Sequence, residues 1–295
     1  MAKTVFITGI TGYIGGSVAK LLSDKGYKII GLVRNKGFIR PVEDLNFKAV
    51  LGDIQDEDLL RKICIEADIV IHTADSADDA FAADSFLRIL DNSGKTFVFT
   101  SGSAIFGNKE KGEACDFCFT EDFPLVPRLE MVQRVYINNA VLNSAKNNVR
   151  SIVIVPTMVY GQGLGLKKES IQIPALVKFS KSKNAGIYIE KGENIWSNVH
   201  ISDLAELFFL AIENAKAGSL FYVENGSSNI KNIANKISEK YHLNLAESID
   251  INEAVAYFGQ AGAHFGFASN SFCNADKARR ELNWKPVYKD ILEFI

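Results

Sequence analysis

Residues 4–16 read TVFITGITGYIGG: a short run of branched and aromatic apolar side chains, then four glycines, Gly9, Gly12, Gly15 and Gly16, within eight positions. An apolar run of this length bounded by glycine fits a strand in a sheet core, and the residues after Gly12 resume helical spacing. A strand, glycine turn and helix in that order leave the N–H groups of the first helical turn facing outward, with the positive end of the helix dipole behind them. The stretch therefore predicts an anion cradle. Gly9 permits the tight turn, Gly12 lets backbone approach a pyrophosphate, and Gly15 lets the helix pack close on the strand.

Working outward, the same unit repeats. YKIIGLV, FKAVLGD, DIVIHTA, KTFVFTSG and RSIVIVP are short apolar runs, and helical patterns over Glu57 to Glu66, Asp78 to Leu90 and about Leu129 to Lys146 lie between them. Continuous apolar strands alternating with amphipathic helices define an α/β chain with a doubly wound parallel sheet (Rossmann) and, from the less regular second half, a smaller C-terminal substrate lobe. Residues 1–165 are expected to form the dinucleotide-binding domain and 166–295 mainly the substrate-binding lobe, interleaved with the first. GSLFYVENG predicts a strand near 219–223 that returns to the first sheet. Helices are expected near 173–182, 202–214, 230–241 and 253–258, and the polar stretch of about twenty residues after Gly107 reads as a substrate-facing loop.

Composition narrows the functions. The 295 residues carry 33 basic and 35 acidic side chains, a formal charge of -2. That gives no basic field for nucleic acid and no polybasic membrane segment, so a small-molecule substrate is the expectation. MAKTVFITG enters the first strand without a leader pattern, and no apolar run approaches a membrane span, which reads as cytoplasmic. Of four cysteines, Cys64 and Cys273 read as small apolar residues. Cys115 and Cys118 form a lone CDFC, either a redox pair or an incidental spacing, with no second pair to complete a metal site.

The spacing from Thr8 to Gly15, TGxxGxxG, resembles the extended, epimerase/dehydratase-like branch of the short-chain dehydrogenase/reductase superfamily. LGDIQD, IHTAD, TSGSAIFG, VPTMVYG, NVHISDLAE and NADKARRELNWKP follow in that family's order and cover nearly the whole chain. The resemblance implies a nicotinamide dinucleotide held by Thr8, Gly9, Thr11, Gly12, Tyr13, Ile14 and Gly15. It adds Asp53 and Ile54 beside the adenine, and Thr73, Ala74, Thr100, Ser101, Pro156 and Tyr160 along the ring and ribose. In GLVRNK no carboxylate occupies Val33, where one would hold the ribose 2′-OH; Arg34 and Lys36 follow instead, so NADP(H) is expected over NAD(H).

The family's working residues, a Tyr-xxx-Lys pair and a serine or threonine ending the fifth strand, are missing. No tyrosine has a lysine four residues later, and the serine's place falls on Gly102, between Ser101 and Ser103. The best alignment puts Glu130 and Arg134 at the pair's positions, four apart on a helix and so able to form an ion pair. Either Glu130 and Ser103 are replacement catalytic groups, with Arg134 reaching the cofactor, or the pair merely decorates a helix. Tyr136 reads as a packed aromatic, His200 as a satisfied buried imidazole, His72 and Asp75 as polar wall near the cofactor edge, and Trp196 as a further candidate.

Three functions follow as expectations. One is an NADP(H)-dependent oxidoreductase or epimerase-like enzyme acting on a small carbonyl or sugar-like substrate; the second is a non-catalytic sensor of the cofactor that acts through a protein partner; the third is an interaction or assembly protein that keeps the fold with a vestigial pocket. A homodimer is a further expectation, with Val132, Val135 and Val141 either on its interface or in the core.

Overall fold

The computed structural model describes residues 2–295. Seven strands form a parallel sheet: β1 (Thr4–Thr8), β2 (Lys28–Val33), β3 (Lys48–Leu51), β4 (Ile69–His72), β5 (Thr96–Thr100), β6 (Arg150–Pro156) and β10 (Ser219–Val223). Their order is β10-β6-β5-β4-β1-β2-β3, so β4 is central with β1 beside it, and the direction of winding reverses between β1 and β4. Ligands of doubly wound sheets sit at the carboxyl ends of the strands flanking such a reversal. The strand from GSLFYVENG does join this sheet, with Ser219 to Val223 in register with Ile152 to Pro156 of β6.

Side-chain alternation along the strands feeds two cores. In β1, Val5 and Ile7 face one layer and Phe6 the other. The first layer is covered by α1 (Tyr13–Asp24), α7 (Ile201–Asn214) and α10 (Asp276–Leu282), through Val18, Leu22, Leu204, Phe208 and Leu282. The second is covered by α3 (Glu57–Glu66), α4 (Ala80–Leu90) and α5 (Val132–Asn143), through Leu60, Ile63, Phe86, Ile137 and Val141. Each such buried side chain contributes roughly 1.5–3 kcal/mol of transfer free energy. A short helix, α2 (Ile39–Glu43), which the sequence did not announce, links β2 to β3.

The C-terminal lobe has its own core. β7 (Met158–Tyr160), β9 (Ile195–His200) and β11 (Ser227–Asn229) make a three-stranded sheet, and β8 (Ala185–Ile189) pairs with β12 (Asn244–Ile249). Around them pack α6 (Gln172–Lys183), α8 (Ile230–Tyr241) and α9 (Ile251–Ala261), the last kinked at Gly259, where φ is +74°, before a π-helical turn over Gly262–Phe267. The closing motif ties the lobes together. Trp284 Nε1 donates to the Asp203 carbonyl (3.0 Å), and the Asp203 carboxylate accepts from the N–H groups of Val287 (3.0 Å) and Tyr288 (2.9 Å).

Several expectations are corrected. The helix read from Leu129 begins with a separate 3-10 turn over Leu129–Met131, and the α-helix proper starts at Val132. Tyr136 is not packed but 72% exposed. Val141 is core, Val135 is partly buried against that core, and Val132 is exposed. All four cysteines are free, Cys115 and Cys118 lying partly exposed in the loop that pairs Phe119 with Cys273.

Candidate cofactor and substrate cleft

The glycine turn builds the floor of the site. Gly9 takes φ +73°, and a Cβ there would meet Thr73 Oγ1 at 2.8 Å and the Thr73 carbonyl carbon at 2.9 Å. A Cβ on Gly15 would collide with Thr73 Oγ1 and the Gly9 carbonyl oxygen. The Gly12 N–H closes the turn onto the Gly9 carbonyl at 2.8 Å. Thr8 and Thr73 lock the two strand ends: Thr73 Oγ1 donates to the Thr8 carbonyl (2.6 Å), and the Thr73 N–H donates to Thr8 Oγ1 (3.2 Å).

The start of α1 carries no side-chain cap, because its N-cap residue is Gly12. By contrast α3, α4, α8 and α9 are capped by Asp56, Asp79, Asn229 and Asp250. The N–H groups of Tyr13, Ile14 and Gly15 are thus left for an external acceptor, at the positive end of the helix. Bare backbone amides, room that a Cβ would fill, and the buried, unpartnered hydroxyl of Ser101 on the same wall together fit a pyrophosphate-bridged dinucleotide.

A second glycine loop, YGQGLGL, covers this helix start. A Cβ on Gly16 would stand 3.4 Å from the Gly165 Cα, the Leu164 N–H donates to Ser17 Oγ (3.0 Å), and Tyr13 donates its hydroxyl to the Gly161 carbonyl (2.8 Å). Burial of Tyr13 pushes its phenol well above the ordinary range, so it stays a neutral donor. The clustering of Gly161, Gly163 and Gly165 was the sequence signal for this lid.

From the turn, a cleft of about 1010 Å³ runs between the two lobes. Tyr13, Ile14, Thr73, Ser101, Ser103 and Pro156 line it, with Gly12, Gly15, Asp75 and Arg134. Thr100 lies just behind, buried with an unpartnered hydroxyl. Thr11 and Ala74 flank the turn, half-buried. Arg34 and Lys36 are exposed beyond β2, and neither makes an ion pair among the described residues. Asp53 is exposed and shapes its turn by accepting from the Gln55 N–H (3.0 Å), while Ile54 packs against the core.

Four of the residues singled out stand elsewhere. Glu130 is on the surface, with its carboxylate bound by Lys109, a contact that holds it below the usual carboxylate range. Because Glu130 belongs to the 3-10 turn and Arg134 to α5, the expected pair does not form; Arg134 instead binds Asp78. Tyr160 does not line the cleft. Alternation along β7 turns Val159 to the cleft and Met158 and Tyr160 into the lobe core, where the Tyr160 hydroxyl donates to the Tyr288 carbonyl (3.3 Å). His72 is fully buried behind the wall rather than on it, against Phe86 and Phe99, with Nδ1 on Thr8 Oγ1 (2.7 Å). His200 caps α7, its Nδ1 accepting from the Ser202 N–H (3.2 Å).

Reading the sequence missed Met131, Lys167 and Lys178 on the cleft, and the aromatic residues Tyr257, Phe258, Phe265 and Phe267 that close its far side. Those four come from the kinked segment after β12, where the helical pattern ends and no motif marks a site.

Arg134 is the most constrained polar group in the cleft. Its Nε and Nη2 grip the Asp78 carboxylate at 2.5 and 2.6 Å, and Nη1 lies 3.5 Å from where a Cβ on Gly102 would stand. Nη1 has no hydrogen-bond partner among the described residues. A fixed cation thus faces the strand end where the resemblance places an oxygen-holding serine.

This fold and cradle define a protein of the doubly wound class with a glycine turn shaped for a pyrophosphate. Residues 5–223 match the NAD dependent epimerase/dehydratase family, and the chain belongs to that family. It is 28% identical to an uncharacterized protein of Schizosaccharomyces pombe, over 98% of this chain and 96% of that one. It is also 28% identical to oxidase ucsJ of Acremonium, over 97% and 94% respectively. The fold matches that of dTDP-glucose 4,6-dehydratase from Bacillus anthracis, solved with NAD, at a TM-score of 0.78 and 19% identity, covering 99% and 95% of the two chains.

Proposed function

We propose that the protein is an NADP(H)-dependent oxidoreductase acting on a small carbonyl or sugar-like compound, with Ser103 and Arg134 handling the reacting oxygen. The observation that carries this reading is Arg134 Nη1, unbonded and held over Gly102 on the wall of the dinucleotide cleft. Hydride donation or acceptance is the chemistry a nicotinamide supplies when bound there. Arg134 stabilises negative charge developing on the substrate oxygen, from a geometry that Asp78 fixes beforehand. Arginine does not give up its proton, so it is not the acid. Ser103, whose side chain lines the cleft, hydrogen-bonds the same oxygen and relays a proton from water at the mouth.

Support for the phosphorylated cofactor comes from Arg34, Lys36 and Arg40, three cations without an ion pair beyond β2, and from the lack of any carboxylate at the end of that strand. A 2′-phosphate accepts charge-assisted hydrogen bonds from such groups.

The alternative, a sensor that binds cofactor without turnover, is favoured by one observation: the cleft lacks a Tyr-xxx-Lys pair, and Glu130 does not replace it. Loss of NADPH absorbance over a panel of aldehydes and ketones, with Ser103→Ala and Arg134→Met as controls, separates the two. Turnover that both variants reduce supports the enzyme. Tight NADPH binding with no turnover on any carbonyl supports the sensor.

A further inference from the structure

The far side of the cleft is apolar and aromatic. Trp196, Tyr257, Phe258, Phe265 and Phe267 line it, and Met131 stands across from them beside Arg134. These rings are held in place rather than loosely exposed. Trp196 is 3% exposed and its Nε1 is committed to the Ser269 carbonyl (2.7 Å), so it backs the wall as a fixed, packed ring. Phe258 packs between Tyr257 (ring centroids 4.9 Å) and Phe267 (4.5 Å), and Tyr257 stacks on Phe179 (4.0 Å). Phe265 leans on the turn at Gly107, where a Cβ would come within 2.9 Å of its ring.

The charged residues that line the cleft come from segments other than this wall, and Lys109 reaches over the Phe265 ring from outside the lining, 5.3 Å from its centroid. Lys167 follows the loop whose Gly165 packs on Gly16, which places it at the glycine turn and the cofactor phosphates. Arg134 stands at the reacting end, paired with Asp78 through Nε and Nη2. Lys178 is exposed on α6, and Asp75 follows the strand end at Thr73. A nucleotide sugar needs cations and hydrogen-bond donors to hold a diphosphate, and the aromatic wall offers the Tyr257 hydroxyl and a committed indole N–H. Space points the same way. At about 1010 Å³ the cleft stands at the top of the range of roughly 300–1,000 Å³ for a single ligand, and part of it must take the nicotinamide end of the cofactor.

The geometry points to a flat, apolar aromatic carbonyl compound as the substrate class, its ring system stacked on Tyr257 and Phe258 and its carbonyl turned toward Ser103 and Arg134. This assignment rests on the proposed oxidoreductase reading and narrows its substrate. Offset stacking against fixed rings gains affinity without ordering flexible side chains, and a wall made of rings favours an aromatic group over a diphosphate.

The test is equilibrium binding to the full-length protein saturated with NADP+, where an added ketone is not reduced. The probes are 2-acetonaphthone and UDP-glucose, titrated by calorimetry with tryptophan quenching as a second readout. The expected result is that 2-acetonaphthone binds at least tenfold more tightly than UDP-glucose. The double variant Tyr257→Ser, Phe258→Ser should lose at least tenfold of that affinity while NADP+ affinity and the circular dichroism spectrum are unchanged. Tighter binding of UDP-glucose, or ketone affinity unaffected in the folded double variant, would overturn the assignment. The two proposals fail separately: ketone binding without turnover sinks the oxidoreductase alone, and turnover confined to aliphatic or sugar carbonyls sinks the aromatic class alone. If the double variant is unfolded, Tyr257→Ser by itself, at a side chain that is 43% exposed, decides the point.

Discussion

Arg134 is clamped to Asp78 through two parallel contacts, Nε to Oδ1 at 2.5 Å and Nη2 to Oδ2 at 2.6 Å, and this fork aims the remaining nitrogen at Gly102. The Asp78 side chain is largely exposed, so the clamp adds little to stability; its effect is orientation. Arg134→Met is therefore expected to leave the melting temperature nearly unchanged and to lower kcat by about 10²–10³, as for loss of one fixed donor to a developing oxyanion. Asp78→Asn keeps a hydrogen-bonding partner and should lower kcat less. Steady-state kinetics on any carbonyl that is turned over checks both, and equal effects of the two variants on KM alone would contradict the orientation argument.

The turn itself gives a test that does not depend on catalysis. Gly15 lies against the Gly9 carbonyl and Thr73 Oγ1, so Gly15→Ala must push the helix start away from the strand ends. Overpacking of this kind costs about 1–3 kcal/mol. The variant should melt several degrees lower and lose NADPH affinity by more than tenfold in a fluorescence titration. Gly26→Ala, where a Cβ would meet nothing within 4 Å but φ is +92°, should lower stability without touching NADPH affinity.

The cofactor preference is checked at the end of β2. Arg34→Ala removes one charge-assisted hydrogen bond to a 2′-phosphate, worth about 1.5–3 kcal/mol, or roughly tenfold to a hundredfold in dissociation constant. The loss should appear for NADPH and not for NADH. Equal weakening for both cofactors, or wild-type protein that prefers NADH, contradicts the NADP(H) reading.

The parts of this molecule that were legible in the sequence are those specified by neighbours in the chain. The alternation of apolar runs and amphipathic helices led to the parallel sheet, and β1, α3, β6 and α8 fall on the residues expected, because strand burial and helix periodicity are local signals. The cradle was legible for the same reason, since three glycines within seven residues require close backbone approach. Glu130 was misplaced because a 3-10 turn has a different angular step from an α-helix, so two residues four apart do not share a face across the junction at Met131. Tyr160 was misplaced because the chain leaves one sheet at Pro156 and enters another at Met158, and a single residue of phase sends a strand side chain to the opposite face. The aromatic wall was invisible for a third reason. Trp196 and Phe267 are 71 positions apart in the sequence numbering, and only the packing of β9 against the segment after Gly259 brings them to one cleft.

Acid should weaken the fold through a residue that takes no part in the site. His72 is fully buried against Phe86 and Phe99, with one ring nitrogen on Thr8 and the other, Nε2, without a partner. Desolvation pushes its pKa down to about 3 from the ordinary value near 6.5. The native state therefore holds the imidazole neutral where the unfolded chain would protonate it. Stability from this group is fully present above about pH 6.5 and is lost as pH falls from there toward 3, at up to about 1.4 kcal/mol per pH unit. Between pH 6.5 and 5 the expected loss from His72 is about 2 kcal/mol, and His200, also pushed down by burial, adds to it. Urea midpoints at pH 7.5, 6 and 5 should fall in that order. His72→Leu deprives the Thr8 hydroxyl of one of its two partners and is less stable at pH 7.5, so the comparison uses slopes: its stability should change with pH less steeply than the wild type's over this range. Parallel slopes for the two proteins would show that the buried imidazole is not the source of the acid sensitivity.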